Sequence, residues 1–339
     1  MARRLPPATE IDPSGLVTYP LEGRPSKVHA RAFRPPYRPG GSLREFLESL
    51  PGFLQAEDLR AVARAIAEAH RSDRVVLLGL GAHNLKVGLQ PLYADLMARG
   101  MVSGVALNGA GIVHDFELAV AGHTSEDVAA RLREGRFGMA RETGQWLNRV
   151  IRDAHRRGLG LGQAVGEAIW EEGLPHRESS LLAAAYRYGV TATVHVAVGT
   201  DIIHMHPECD GAAVGATTLR DFRRFCALVA ELEGGVYLNV GSAVVLPEVF
   251  LKALTLARNL GHRVERLTTA NLDFVRHYRP SVNVVGRPTG SGGRGYHLTG
   301  PHEILVPLLF ACVLELLEDR QPPAGPAGDR EPEGPRRSG

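Results

Sequence analysis

The stretch RVVLLGLGAHNLKVG, residues 74–88, sets the fold class. Its first half is an unbroken apolar run rich in branched side chains, which is typical of a strand buried on both faces of a sheet. The run ends at the closely spaced Gly79 and Gly81, and a helical pattern follows. Because such a strand needs helices on either side, we predict an α/β protein built on a parallel sheet.

The alternation continues outward from this stretch. Two helices are predicted upstream, within residues 42–71, and Ser42 and Glu45 have the spacing of a capping box. Each further strand is followed by a helical pattern; these strands lie within 101–111, 191–200, 234–241 and 263–272. We therefore predict a Rossmann-like, doubly wound, mostly parallel sheet with helices on both faces.

Composition divides the 339 residues into three parts. Residues 1–41 are rich in Pro, Arg and Gly and are predicted to form an extended arm. Residues 42–319 are predicted to form a single α/β domain. Residues 320–339, RQPPAGPAGDREPEGPRRSG, have almost nothing to bury and are predicted to be disordered.

The balance of charge and the few cysteines narrow the functional class. A net charge of +2 predicts no nucleic-acid or membrane partner, and no apolar run is long enough to span a bilayer. The 3 cysteines are too few for a disulfide framework, and the first residues lack the apolar segment of a signal peptide. We expect a soluble cytoplasmic protein that acts on a small molecule. Any chemistry that needs an amine has only Lys27, Lys86 and Lys252.

The ends of the predicted strands are the expected ligand site. In doubly wound sheets, ligands bind beyond the carboxyl ends of the strands, where glycine lets a phosphate approach backbone N–H groups. Five such ends are glycine-rich or polar: 79–88, 107–115, 198–206, 239–245 and 267–273. Together they favour a nucleotide-sized ligand over simple tight turns. None of them matches the usual dehydrogenase fingerprint, since Gly88 comes too late to be its third glycine.

Several side chains near these ends suit chemistry. His114 is a candidate base, and its neighbour Asp115 either orients it or caps a helix. His204, His206 and Cys209, with Asp201 as an alternative ligand, have spacing that suits a zinc or iron site. Cys209 is more often a small buried residue than a ligand, and no separate CxxC or HExxH motif supports a metal, so metal binding is the less favoured interpretation.

A glycine-rich stretch at 286–300 is predicted to be a mobile loop. Besides its glycines it carries Arg287, Arg294, Tyr296 and His297. Such a loop either closes over an anionic ligand or has no role in binding. Because it precedes the last core helix, we favour closure, with Arg287 or Arg294 clamping the anion.

The order of these segments resembles the deoxyhypusine synthase family. The matching runs are NLKVGLQPLYADLMARGMVSGVALNGAGIVHDFELAVAG, VAVGTD, GGVYLNVGSAVVLPEVFLKAL and LTTANLDF, followed by Arg279–Pro280. The resemblance covers residues 75–315 in unbroken order and implies the family's NAD-binding Rossmann-like fold. It also implies an oligomer, a homodimer or a homotetramer.

The resemblance implies specific NAD contacts. Position by position, these fall on Asn84, Asn108, Gly109, Ala110, Gly111, Asp115, Thr200, Asp201, Gly241, Ser242, Thr269, Ala270 and Asp273. Their amide, hydroxyl and carboxylate groups can form hydrogen bonds with the ribose and amide groups of NAD. The backbone of the glycines can approach its phosphates.

The departures from the family pattern alter the expected chemistry. The family lysine that forms an imine with the substrate is here Pro288, and a guanidinium such as that of Arg287 is a poor replacement. Leu246–Pro247 stand where the family has polyamine-site histidines, and Val113 and His114 replace two acidic residues.

True deoxyhypusine synthesis is therefore disfavoured. We expect instead an NAD-dependent redox or group-transfer enzyme with His114, Asp115, Asp201, His204 and Arg287 at its site. The alternatives are a metal-dependent hydrolase that uses His204, His206 and Cys209, and a nucleotide-binding protein without catalysis.

Overall fold

The computed structural model describes residues 10–318 as two compact units, one ending at Phe53 and the other beginning at Leu54. The predicted tail, 320–339, and the first nine residues of the predicted arm lie outside the described residues. The division of the chain at residues 41 and 319 stays a prediction.

The first unit is mostly irregular. Its described residues, 10–53, contain two short 3₁₀ turns, Leu21–Gly23 and Ala30–Ala32, and one helix, α1 (Leu43–Ser49). The predicted capping box is confirmed, because the Ser42 hydroxyl accepts from the Glu45 N–H while the Glu45 carboxylate accepts from the Ser42 N–H. Capping of this kind satisfies N–H groups that a helix N-terminus leaves free.

The second unit is built on one six-stranded sheet whose strands are all parallel. They are β1 (Val76–Leu80), β2 (Gly104–Asn108), β3 (Thr191–His195), β4 (Val236–Val240), β5 (Thr268–Asp273) and β6 (Arg294–Thr299). The strand order is β3-β2-β1-β4-β5-β6, and the predicted Rossmann-like fold is confirmed. The direction of winding reverses between β1 and β4, where such folds hold their ligands.

Helices connect the strands and cover the sheet. They are α2 (Leu54–Arg71), α3 (His83–Lys86), α4 (Gln90–Ala98), α5 (Gly109–Ala121), α6 (Val128–Arg133), α7 (Arg141–Arg157), α8 (Leu161–Glu171), α9 (Leu181–Arg187), α10 (Gly211–Ala230), α11 (Val245–Asn259), α12 (Tyr278–Pro280) and α13 (His302–Glu318). Helix α2 packs on α13, and α10 packs on α11. Every residue of β1 and β4 is buried, which explains their unbroken apolar sequences.

The two glycines of the opening stretch have separate packing reasons. A methyl group on Gly79 would overlap the buried Tyr237 side chain, whose ring stacks on Phe250 at 3.9 Å between centroids. A methyl group on Gly81 would overlap the carbonyl oxygen of Gly241. The first glycine therefore makes room for the core, and the second lets β1 and β4 end close together.

One local prediction was wrong, and one strand is shorter than predicted. The stretch predicted to be a mobile loop contains strand β6, which pairs in parallel with β5 along Arg294–Thr299. The strand predicted within 101–111 ends at Asn108, and the residues after it, His114 among them, form α5, because the Asn108 side chain caps the helix by accepting from the Gly111 N–H at 3.2 Å. Within residues 10–318, no helix is long and apolar enough to cross a membrane.

Candidate functional site

A cavity of about 710 Å³ lies at the carboxyl ends of β1, β2 and β3. The first turns after these strands supply Lys86, Ala110 and the segment 200–202, and α5 supplies one wall. The lining is mostly apolar, from residues that include Val113 and Phe137, with a few polar groups among them. A pocket of this kind, apolar with sparse polar groups, is typical of a small-molecule site.

Four of the predicted site residues meet in this cavity: His114, Asp201, Thr200 and Ala110. Asp201 is 7% exposed and lies against the start of α5, since a methyl group on Gly109 would overlap its carboxylate. Its Oδ2 has no hydrogen-bond partner among the described residues, and burial raises its pKa to about 6. The carboxylate thus lies where the positive end of the α5 dipole favours negative charge.

His114 is anchored by a short chain of hydrogen bonds. Its Nδ1 lies 2.7 Å from the Oγ1 of Thr124, and that hydroxyl donates to the Glu117 carboxylate at 2.5 Å. The other oxygen of Glu117 accepts from Thr143 at 3.0 Å. His114, Glu117, Thr124 and Thr143 all line the cavity. The imidazole is therefore fixed in orientation at the cavity wall.

His114 is held in its neutral form. Burial, and to a smaller extent the nearby positive charge of Lys86, lower its pKa to about 4. At neutral pH the ring therefore carries one proton and has one basic nitrogen.

Asp115 does not orient His114. Its carboxylate is fully buried and accepts from the Ser180 hydroxyl at 2.5 Å and from the N–H groups of Leu181 and Leu182. Of the two roles weighed for Asp115, the structure shows helix capping, at the start of α9 rather than of its own helix. Consecutive helical residues point about 100° apart, so Asp115 faces the core while His114 faces the cavity.

The crevice between β1 and β4 shares helix α3 with the cavity, because Asn84 bonds both strand ends and Lys86 lines the cavity. Gly241 has a φ of 68°, a conformation that favours glycine, and a side chain there would meet the His302 ring. Asn84 ties the two strand ends together, because its amide donates to the carbonyls of Gly81 and Val240 and its oxygen accepts from Tyr93. The Asn84 side chain thus shapes the crevice, and its hydrogen-bonding groups are engaged within the protein.

The ends of β4 and β5 add polar groups to this crevice. The Ser242 hydroxyl accepts from the Leu246 N–H at 3.2 Å, at the start of α11. Asp273 Oδ1 lies 3.9 Å from the Nε2 of His302. The other two predicted contacts on β5 are internal: Thr269 donates to the Val284 carbonyl, and Ala270 is buried in the sheet. Of the residues on β5, only Asp273 stands at its carboxyl end.

The predicted metal ligands are directed to different partners. His206 Nε2 donates to the Gly138 carbonyl at 2.8 Å, whereas His204 Nδ1 accepts from the Gly199 N–H at 3.2 Å. Among residues 10–318, no three His, Cys, Asp or Glu side chains are grouped so that they could hold a metal ion. His204 lies on a 3₁₀ turn, Ile202–Met205, and does not line the cavity.

Arg287 does not line the cavity, and its side chain is bonded within the protein. Its guanidinium donates to Asn283, and the next residue, Pro288, accepts from Arg258 at the end of α11. Asn283 in turn donates to the Glu248 carboxylate in the first turn of α11 at 2.9 Å. The stretch that was predicted to close over the carboxyl ends is tied into the sheet as β6, and neither Arg287 nor Arg294 lines the cavity.

Two residues of the His114 network were not predicted. Glu117 stands three residues after His114, a spacing that places both on one face of a helix, and this signal was available once the segment was recognised as helical. Thr124 follows the end of α5 at Gly122, and no local pattern marks it.

Known structures share this fold at low sequence identity. Unliganded AgrE matches with a TM-score of 0.50 and 15% sequence identity, and the match covers 76% of this chain and 32% of AgrE. The ternary complex of AgrE with ornithine and NAD⁺ matches with a TM-score of 0.48. A protein from Methanococcus maripaludis S2 described as LOR/SDH matches at 0.49 with 12% identity, over 78% of this chain and 71% of that one. A protein from Entamoeba histolytica described as a deoxyhypusine synthase matches with a TM-score of 0.46 and 13% sequence identity. The match covers 82% of this chain and 95% of that one.

The match to unliganded AgrE concerns the fold alone, which the sheet topology shows to be Rossmann-like α/β. The chain spans about a third of the length of AgrE. No protein-family model matches the sequence, and no curated protein does.

Proposed function

We propose that this chain is an NAD-binding enzyme that performs a redox or group-transfer step on a small molecule held in the cavity. The observation that carries this is the position of the cavity: it opens at the carboxyl ends of β1–β3, next to the β1/β4 crevice, and contains a neutral, fixed histidine, His114. In this fold, the nucleotide and the substrate meet at such a reversal of strand order.

The strand ends fit an extended dinucleotide. Thr200 follows β3, Asn108 ends β2, Gly241 follows β4 and Asp273 ends β5. Five adjacent strands span roughly 19 Å at about 4.8 Å per pair, a length that suits two linked nucleotides better than one. Close backbone at Gly81 and Gly241 suits the phosphates, and the carboxylate of Asp273 suits a ribose hydroxyl.

The residues that line the cavity have different roles in the proposed reaction. When bound, a nicotinamide dinucleotide supplies a hydride acceptor or donor. Val113, Phe137 and Ile202 exclude water from the substrate. His114 holds or takes a substrate proton at its free ring nitrogen, and Asp201 provides a buried negative charge beside it. Deoxyhypusine synthesis is not part of the proposal, because Pro288 stands where the family has its lysine.

Calorimetric titration of NAD into the purified protein, with NADP as a comparison, tests the proposal. Saturable binding in the wild type, and weaker binding in Asp273→Asn, are expected. Asp95→Asn changes a carboxylate that is paired with Arg99 on the surface of α4 and serves as the matched control. No binding of either dinucleotide, or equal binding by wild type and Asp273→Asn, would contradict the proposed site.

We also propose that the protein forms a homodimer or homotetramer, as the resemblance implies. Light scattering on the purified chain measures its mass in solution, and a monomeric mass would contradict this.

A further inference from the structure

The hydrogen bonds around His114 determine which of its ring nitrogens carries the proton. A threonine hydroxyl has a single hydrogen, and that of Thr124 is directed at the Glu117 carboxylate. The same oxygen lies 2.7 Å from His114 Nδ1 and can only accept there. A neutral His114 must therefore carry its proton on Nδ1.

The second ring nitrogen is then a free base. Nε2 has no hydrogen-bond partner within residues 10–318, while the His114 side chain lines the cavity. In a neutral ring protonated on Nδ1, Nε2 holds the lone pair.

We propose that Thr124 and Glu117 are positioning residues that make His114 the general base of the cavity, by fixing its Nδ1–H tautomer through the relay His114–Thr124–Glu117. The base role rests on the proposed function, whereas the tautomer does not. The substrate class that this base serves is a small, largely apolar molecule with an ionisable O–H or N–H group directed at Nε2.

The proton step is balanced within the site. The substrate O–H or N–H bond breaks, its electron pair stays on the substrate atom, and a new N–H bond forms at Nε2. The resulting imidazolium keeps its Nδ1–H bonded to Thr124, and the Glu117 carboxylate lies one hydroxyl beyond. A carboxylate in that place stabilises the positive ring, as the third member of a catalytic triad does.

Nitrogen NMR of ¹⁵N-histidine-labelled protein at neutral pH tests the tautomer directly. His114→Gln identifies the two ring signals by their loss. In the wild type we expect a protonated Nδ1 and an unprotonated Nε2. Thr124→Val, which keeps the shape but removes the hydroxyl, should shift His114 toward the Nε2–H tautomer, and Thr124→Ser should keep the wild-type pattern. Thr143→Val removes a hydroxyl that binds the other oxygen of Glu117, outside the relay, and should leave the pattern unchanged.

Two results would overturn the relay: a wild-type His114 protonated on Nε2, or identical ring signals in wild type and Thr124→Val. The readout needs neither NAD nor substrate. A fixed Nδ1–H tautomer in a protein that binds no dinucleotide would leave the relay intact and remove the proposed function, so the two failures are distinguishable.

Discussion

The carboxylate of Asp115 accepts the hydroxyl of Ser180 at 2.5 Å, on the opposite side of α5 from the cavity. The same carboxylate accepts from two N–H groups at the start of α9, so it joins two helices in the core. His114 and Asp115 are neighbours in the sequence but have different roles: His114 lines the cavity, whereas Asp115 connects two helices in the core.

Asp115→Ala should reduce the free energy of unfolding by at least about 2 kcal/mol, because it leaves buried donors of Ser180, Leu181 and Leu182 without an acceptor. Asp115→Asn keeps one side-chain acceptor oxygen and should reduce the free energy of unfolding by less than Asp115→Ala does. Urea unfolding measures both values. The ring signals of His114 should not change in Asp115→Asn; if they did, the assignment of Asp115 to the core alone would be wrong.

His114 should remain uncharged from pH 5.5 to 8, because burial and Lys86 lower its pKa to about 4. Lys86→Met removes the repulsive charge and should raise the pKa of His114, while burial still keeps it below the usual value. Lys252→Met is the control, since Lys252 pairs with Glu248 on α11. An NMR pH titration checks this, and a wild-type His114 that titrates near pH 6.5 would contradict it.

Gly81→Ala should destabilise the protein and abolish dinucleotide binding, because the added methyl group would overlap a backbone atom, the Gly241 carbonyl oxygen, which has little freedom to move. Gly215→Ala, on α10, is the matched control: no atom lies within 4 Å of the added group. It should be neutral or stabilise by up to about 1 kcal/mol. Thermal unfolding compares them, and equal Tm values would show that β1 and β4 do not need to approach so closely.

Asp221 should make stability depend on pH. Burial raises its pKa to about 7, although its carboxylate accepts from the N–H groups of Gly162 and Val194. The folded state thus favours the protonated form, and the contribution of Asp221 to stability decreases as pH rises from about 4 to 7. Asp221→Asn removes this dependence, so its stability relative to the wild type should increase over that range. Denaturant unfolding at pH 5 and pH 8 measures it; a constant difference would contradict the raised pKa.

Most of the sheet could be predicted because parallel strands that are buried on both faces consist of continuous apolar residues. All five predicted strands, β1 to β5, are present. Strand β6 was missed because it lies at the edge of the sheet, where only Leu298 of its six residues is buried, and because glycines precede it. Its pairing with β5 depends on tertiary contacts that leave no local pattern.

The grouping of four predicted residues at one cavity could be predicted for the same reason. His114, Asp201, Thr200 and Ala110 follow strand ends, and parallel strands bring their carboxyl ends together, so sequence order alone indicates that they meet. The partner of His114 could not be predicted, because adjacency in the chain offered only Asp115, as an orienting group or as a helix cap, whereas the folded chain brings Thr124 to the ring. Arg287 does not line the cavity, because its segment leads into β6 and its guanidinium bonds Asn283.

A crystal structure of the protein soaked with NAD tests the central claim most directly. We predict density for an extended dinucleotide across the carboxyl ends of β1, β4 and β5, with its phosphates at Gly81 and Gly241 and its nicotinamide facing the cavity beside His114. Density at the amino ends of the strands, or none under saturating NAD, would contradict the account.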